Sequence, residues 1–294
     1  MLTVLLGVSV GLLIPWQTVA NTRLRTSLGS PFAASMVSFA VGTVGLLAAA
    51  APSGALSRVL ADAHQLSWWM FAGGALGVVA LTGNIFMFPR LGAVETVVLP
   101  IAGQILAGLV IDQFGFFRAP VNPLTWLRLG GAVVVMAGVL ITVGRPQTAG
   151  THVWGWRAAG VGFGALLAAQ SAINGQLGHA VGSPLVAALV SFAVGMVLLV
   201  LINAVLGWRP HLHSAKEQRG PWWMWTGGLL GAMYVLVNAW LVPAIGTGLT
   251  VMAGLAGVMA GSLLVDRAFG KPVRPTQLVG VAAIAAGVAL MRLA

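Results

Sequence analysis

Hydrophobic residues fall in runs of about 20 along almost the whole chain, and polar residues gather between the runs. A helix rising 1.5 Å per residue needs about 20 apolar residues to cross roughly 30 Å of hydrocarbon. Breaks at Gly, Pro and charge clusters divide the chain into ten such spans. They lie at 3–27, 31–51, 68–88, 92–111, 124–143, 156–180, 184–206, 222–242, 246–265 and 276–292. Two stretches, Ala51 to Ser67 and Gly207 to Pro221, are polar enough to be loops, and Gly144 to Gly155 (GRPQTAGTHVWG) has linker composition. The N-terminal run MLTVLLGVSVGLLIPW lacks a basic flank and a small-residue cleavage site, so it is expected to be the first membrane helix. The pattern predicts an all-α, polytopic membrane protein.

The spans repeat. Residues Gly29 to Gly42 read GSPFAASMVSFAVG and residues Gly182 to Gly195 read GSPLVAALVSFAVG, with ten of fourteen positions identical. At nearly the same offset Gln17 and Asn21 fall on Gln170 and Asn174. Gly73, Gly74, Gly77, Asn84, Pro89, Gly92 and Asp112 fall on Gly227, Gly228, Gly231, Asn238, Pro243, Gly246 and Asp266. A period near 150 is too long for a solenoid unit, so the chain is a duplicated half. The halves are expected at 1–145 and 156–294, joined by 146–155. Each holds five spans, and an odd number forces the second copy to enter the bilayer from the opposite side. Inverted repeats of this kind build many secondary transporters.

Charge supports the inversion. Eleven of the fifteen Arg and Lys residues fall in loops on one side: Arg23, Arg25, Arg90, Arg145, Arg157, Arg209, Lys216, Arg219, Arg267, Lys271 and Arg274. The other side carries Arg58, Arg118, Arg128 and Arg292. The positive-inside rule makes the first side cytoplasmic and places both termini outside. Arg23, Arg25 and Arg90 become Gln176, Gly178 and Ala244 in the second copy, while the loops holding Arg58 and Arg118 gain basic residues. The apolar scaffold was kept and the positive charge changed ends.

Charged residues make up only 7% of the chain, against about 25% in a soluble domain, which excludes a soluble fold. The net charge of +10 is spread singly between spans, so nucleic-acid binding is not expected. The absence of cysteine rules out disulfides and thiol chemistry, and the five His residues lie at span ends or in loops. No phosphate-binding loop, zinc-protease or serine-hydrolase motif is present, so neither an enzyme nor a metal or cofactor protein is expected.

Polar groups inside spans carry the candidate chemistry, because in hydrocarbon they must face a neighbouring helix or a watery cavity. Gln17 and Asn21 share one helix face, as do Gln170 and Asn174; the pairs either line a midplane site or hold the bundle together. Trp16 is a candidate aromatic wall, and Gln104, deep in the fourth span, a further cavity residue. Asn84 and Asn238, just before Pro89 and Pro243, read first as helix terminators and second as site residues. Glu95 is the one carboxylate well inside a span. It is either a first-turn helix cap near Arg90 or a coupling group for a proton or cation. Asp112 and Asp266 recur at span ends, with an expected role in the following turn. Gly73 and Gly77, Gly227 and Gly231, and Gly257 and Gly261 have the four-residue spacing of close helix packing.

The GSP-x-x-A-x-x-VSFAVG stretches, the GG-x-LG openings and GAVETVVLPIAGQILAGLVIDQFG (Gly92 to Gly115) resemble a known family. They are similar to the five-helix YdcZ-like inner-membrane exporters of the drug/metabolite transporter superfamily, here two units fused. The resemblance implies a ten-helix, five-plus-five transporter in the bacterial inner membrane and names no substrate. The expected function is a secondary transporter, working as an exporter, for a small molecule. A passive channel and a non-transporting membrane scaffold are the alternatives. Monomer and homodimer both fit.

Overall fold

The computed structural model describes residues 2–54, 66–144, 153–208 and 220–293. Every regular element among them is helical. Ten helices follow one another: α1 (Leu2–Leu28), α2 (Pro31–Ala50), α3 (Gly73–Gly92), α4 (Val94–Phe114), α5 (Trp126–Val143), α6 (Trp154–Ala180), α7 (Pro184–Val205), α8 (Trp222–Ile245), α9 (Thr247–Ala268) and α10 (Pro275–Arg292). All but α6 are both long and apolar enough to cross a membrane. α6 has 27 residues, about 40 Å of helix, and is less apolar because Arg157, Gln170, Asn174, Gln176 and His179 lie on it. The loop residues Arg58, Arg145, Arg209, Lys216 and Arg219 lie outside the described residues, as do His64, His152, His211, His213 and most of the expected linker at 146–155.

The repeated Gly-Ser-Pro is one helix boundary written twice. Gly29 and Gly182 close the preceding helices at φ of +67° and +64°, a conformation open to glycine at little cost. Ser30 Oγ then accepts from the Ala33 N–H, and Ser183 Oγ from the Val186 N–H, each at 3.3 Å. Pro31 and Pro184 take the first helical position, where a missing N–H leaves no bond unmade. Exposed tryptophans mark other helix starts: Trp68, Trp126, Trp154 and Trp222. By the order of spans the first two lie at one face of the bilayer and the last two at the other, as interfacial anchors do.

Several repeated residues lie in contacts between the copies that are built twice. The Phe39 and Phe192 rings stack at 4.8 Å between α2 and α7. Gly42 makes room for the Phe192 ring and Gly195 for Phe39; a Cβ there would lie 2.4 and 2.3 Å from ring atoms. A Cβ on Gly74 would lie 2.0 Å from the Ser191 carbonyl oxygen, and one on Gly228 would lie 2.0 Å from that of Ser38. The first helix of each copy crosses onto the third and fourth of the other, so α1 packs on α8 and α9, and α6 on α3 and α4. There Gly257 faces the Val8 carbonyl as Gly103 faces that of Val161. α5 and α10 pair through Gly131, Gly138, Gly280 and Gly287. Lipid supplies no hydrophobic drive between helices, so close backbone approach at small residues carries the association. Many of the chain's 40 glycines serve that need. This reciprocity is that of a twofold axis, and five spans per copy put the axis in the membrane plane.

α3 passes into α4, and α8 into α9, at a glycine with positive φ: Gly92 (φ 73°, ψ 179°) and Gly246 (φ 81°, ψ 165°). Pro89 and Pro243 do not end their helices, which run on to Leu91 and Ile245. Asn238 is therefore not a terminator, since its helix continues for two further turns. The Asn84 side chain lies outside the described residues.

Candidate functional site

Where the copies meet, α4, α6, α8 and α9 enclose a cavity of about 390 Å³, with Ile14 of α1 at its edge. Three pairs of equivalent residues line it from both copies: Ile14 with Leu167, Ile101 with Leu255, and Gln104 with Val258. The cavity thus sits on the pseudo-twofold. Among the described residues its lining extends to one side, toward Gln170, Asn174 and Asn238. On the equivalent other side Thr250 and Val251 are buried and Gly254 lies against the Tyr234 hydroxyl. α9 buries every residue from Thr247 to Gly257, while α4 presents Thr96, Val97 and Gln104 to the cavity.

The expected site residues divide into two groups. Gln104, Gln170, Asn174 and Asn238 come together in the cavity. Gln17 and Asn21 do not reach it: they lie against Gly231 and Gly227 of α8, where added Cβ atoms would sit 2.4 and 2.2 Å from their amides. Gln170 and Asn174 lie in the same way against Gly77 and Gly73 of α3, and in addition border the open space. The GG-x-x-G openings of α3 and α8 are sockets for the amides of the other copy. One local difference between the amide-bearing helices is Pro15, which breaks α1 between Gly11 and Leu13, whereas its equivalent Ala168 leaves α6 continuous. Trp16 is exposed and forms no wall of the cavity. One residue corresponds to about 100° of helix rotation, so turning Gln17 toward α8 carries Trp16 away from it.

Tyr234, Ser171 and Thr96 also line the cavity and were not singled out from the sequence. Tyr234 had a legible signal, as the single tyrosine of the chain and a polar-tipped residue inside an apolar span whose equivalent is Ala80. It lines the cavity together with Asn238, one helical turn further along α8. Ser171 and Thr96 carried none, because serine and threonine hydroxyls in helices bond the carbonyl four residues back, as these do to Leu167 and Gly92.

Glu95 sits beside the cavity residue Thr96 and is 4% exposed. It holds neither a helix-end bond nor Arg90. Arg157 of α6 donates to both its oxygens, Nε to Oε2 and Nη2 to Oε1, each at 2.8 Å. A lone charge at a span centre costs about 2.5–3.5 kcal/mol, and a bidentate partner near the span end offsets that cost. Arg157 also lies over the Trp154 ring at 5.3 Å, and Arg90 over Trp156 at 4.2 Å. The pair joins α4 of the first copy to α6 of the second.

At the opposite end Asp112 is fully buried. Arg128 binds its Oδ2 at 2.6 Å and also donates to the Asn122 carbonyl. Asp112 further accepts the backbone N–H groups of Thr247 at 2.7 Å and Gly248 at 3.0 Å. It therefore caps the first turn of α9 across the copy boundary, beyond the local role expected for it. The expected turn is present as well: the Asp112 and Asp266 carbonyls each accept at 2.8 Å from the following loop, from Asn122 and Lys271. Asp266 itself stays near the surface with Lys271 at 3.2 Å. Among the described residues no cluster of His, Cys, Asp or Glu is placed to hold a metal ion.

A protein of known crystal structure shares this fold, with a TM-score of 0.75 at 17% identity over 98% of this chain and 95% of that one. No curated protein matches the chain. The profile of the family described as "Putative inner membrane exporter, YdcZ" matches it twice, over residues 2–141 and again over residues 155–290. Each match covers one copy of the repeat, and together they take in nearly every residue, so the chain belongs to the YdcZ family of inner membrane exporters as two fused units.

Proposed function

We propose that the chain is a secondary transporter that exports a small molecule by alternating access, with the cavity between the copies as its substrate site. The observation that carries this reading is the position of the cavity, which straddles the pseudo-twofold and opens to one side of it. If the copies exchange conformations, the space beside Gln170 and Asn174 closes and its counterpart beside Gln17 and Asn21 opens. The axis lies in the membrane plane, so that exchange also exchanges the two faces of the bilayer. The Glu95–Arg157 pair crosses the copy boundary at one end and the Asp112 cap crosses it at the other. Each is a contact that such a motion breaks or keeps.

Glu95 is the coupling candidate, because its protonation releases Arg157 from the one bidentate ion pair that joins the copies among the described residues. Both termini face outward in this proposal, following the eleven-to-four division of basic residues.

The test works with the substrate still unidentified. Vesicles bearing the protein are loaded with a mixture of small metabolites and drugs, and solute release is followed by mass spectrometry. The proposal expects a subset to leave faster than from vesicles bearing Gln104→Leu, with saturation and with stimulation by the same solute outside. Unsaturable release would make the protein a channel. Release that is the same with and without the protein would leave it a scaffold.

A further inference from the structure

We propose that the cavity selects an uncharged molecule that carries hydrogen-bond donors, with Asn238 as the residue that reads the donor. This inference rests on the transport reading and specifies its substrate class. Among the described residues the lining includes no Asp, Glu, Lys, Arg or His. The nearest carboxylate, Glu95, spends both oxygens on Arg157, so the pair presents no net charge. Half-helix N-termini are the usual receptors for a substrate carboxylate in transporters of this design. That of α9 is filled, since Asp112 binds its first two N–H groups. An anion would find that receptor filled and no cationic side chain free in the described lining, and a cation would find no carboxylate free. Either would bring an unpaired charge out of water.

What the cavity does offer is unspent amide groups. Asn238 is 4% exposed, its side chain borders the cavity, and its Oδ1 has no partner among the described residues. The Gln104 and Gln170 side chains border the same space. A buried acceptor without a donor is costly, and a ligand N–H or O–H aimed at Oδ1 removes the cost. Pro100, Ile101 and Leu255 add apolar lining to the same space. At about 390 Å³ the space is at the small end of ligand sites. The class is therefore a compact, neutral, partly apolar molecule with amide-like or hydroxyl donors.

Benzamide, benzamidinium and benzoate have nearly the same shape and differ in charge, so they separate the alternatives. Thermal unfolding of the detergent-solubilised protein is followed with each probe at the same concentration. A ligand that binds the folded state raises the melting temperature. Benzamide is expected to raise it, and the two charged probes to leave it unchanged. In Asn238→Leu the benzamide shift should fall several-fold. Gln104→Leu provides a second reading if Asn238→Leu does not fold. The proposal is overturned if either charged probe gives a shift as large as that of benzamide, if benzamide gives none, or if its shift survives loss of Asn238. Failure here and failure of the transport reading are distinct. Saturable release of a charged solute that Gln104→Leu abolishes would sink the substrate class and keep the transporter.

Discussion

Glu95 and Asp112 show how a single buried charge is tolerated in a span, and they do so differently. Asp112 is satisfied by three donors and cannot be reached by water, so removing it strands Arg128 and two helix-end N–H groups. Asp112→Ala is expected to cost about 3–5 kcal/mol, read as a fall in the unfolding temperature in detergent. Glu95→Ala should cost less, because the Arg157 side chain is 24% exposed and can turn to water. Glu95→Gln keeps the shape and removes the charge. If Glu95 couples transport to protons, that change abolishes release driven by a pH gradient and spares exchange of the same solute. Unaltered gradient-driven release would make the pair a structural tie between the copies. The polar character of these residues was legible in the sequence, but their partners were not. Arg157 lies 62 residues from Glu95, and Thr247 lies 135 from Asp112. A pairing across the copy boundary depends on helix register, which no local pattern records.

Among the helices, glycine and serine decide how closely the copies approach. Gly74 and Gly228 occupy equivalent places against equivalent carbonyls, so Gly74→Ala and Gly228→Ala should cost similar amounts. Each forces two backbones apart, for which about 1–3 kcal/mol is typical. Gly162, on an open face of α6 with nothing within 4 Å, provides the contrast. Gly162→Ala should be neutral or stabilise by up to about 1 kcal/mol, since it removes only the entropic cost of glycine in a helix. Parallel unfolding curves for the three variants check the expectation. Most span limits could be placed from the sequence, because apolar run length and Gly-Ser-Pro boundaries act locally. The passage from α3 to α4 differed: Pro89 suggested a stop, but the helix continues until Gly92 takes a positive φ. An internal proline can be carried within a membrane helix when neighbours satisfy the freed carbonyl.

Taken whole, the molecule is nearly symmetric in its contacts and asymmetric in its open space. The duplication, the ten spans and the reversal of charge could be read from the residues alone. Which amide pair borders the cavity could not, since both pairs share one pattern and one kind of glycine socket. The asymmetry is the basis of the transport proposal, so the most direct measurement compares equivalent positions. The chain has no native cysteine, so Asn21→Cys, Asn174→Cys and Gln104→Cys can each be labelled in sealed vesicles by a membrane-impermeant maleimide applied from one face or the other. Alternating access predicts that the thiols introduced at positions 21 and 174 react from opposite faces. It also predicts that the thiol at position 104, near the axis, reacts from both faces and that the vesicles stay tight to a small tracer. Labelling of positions 21 and 174 from the same face, or of position 104 from neither, would contradict it.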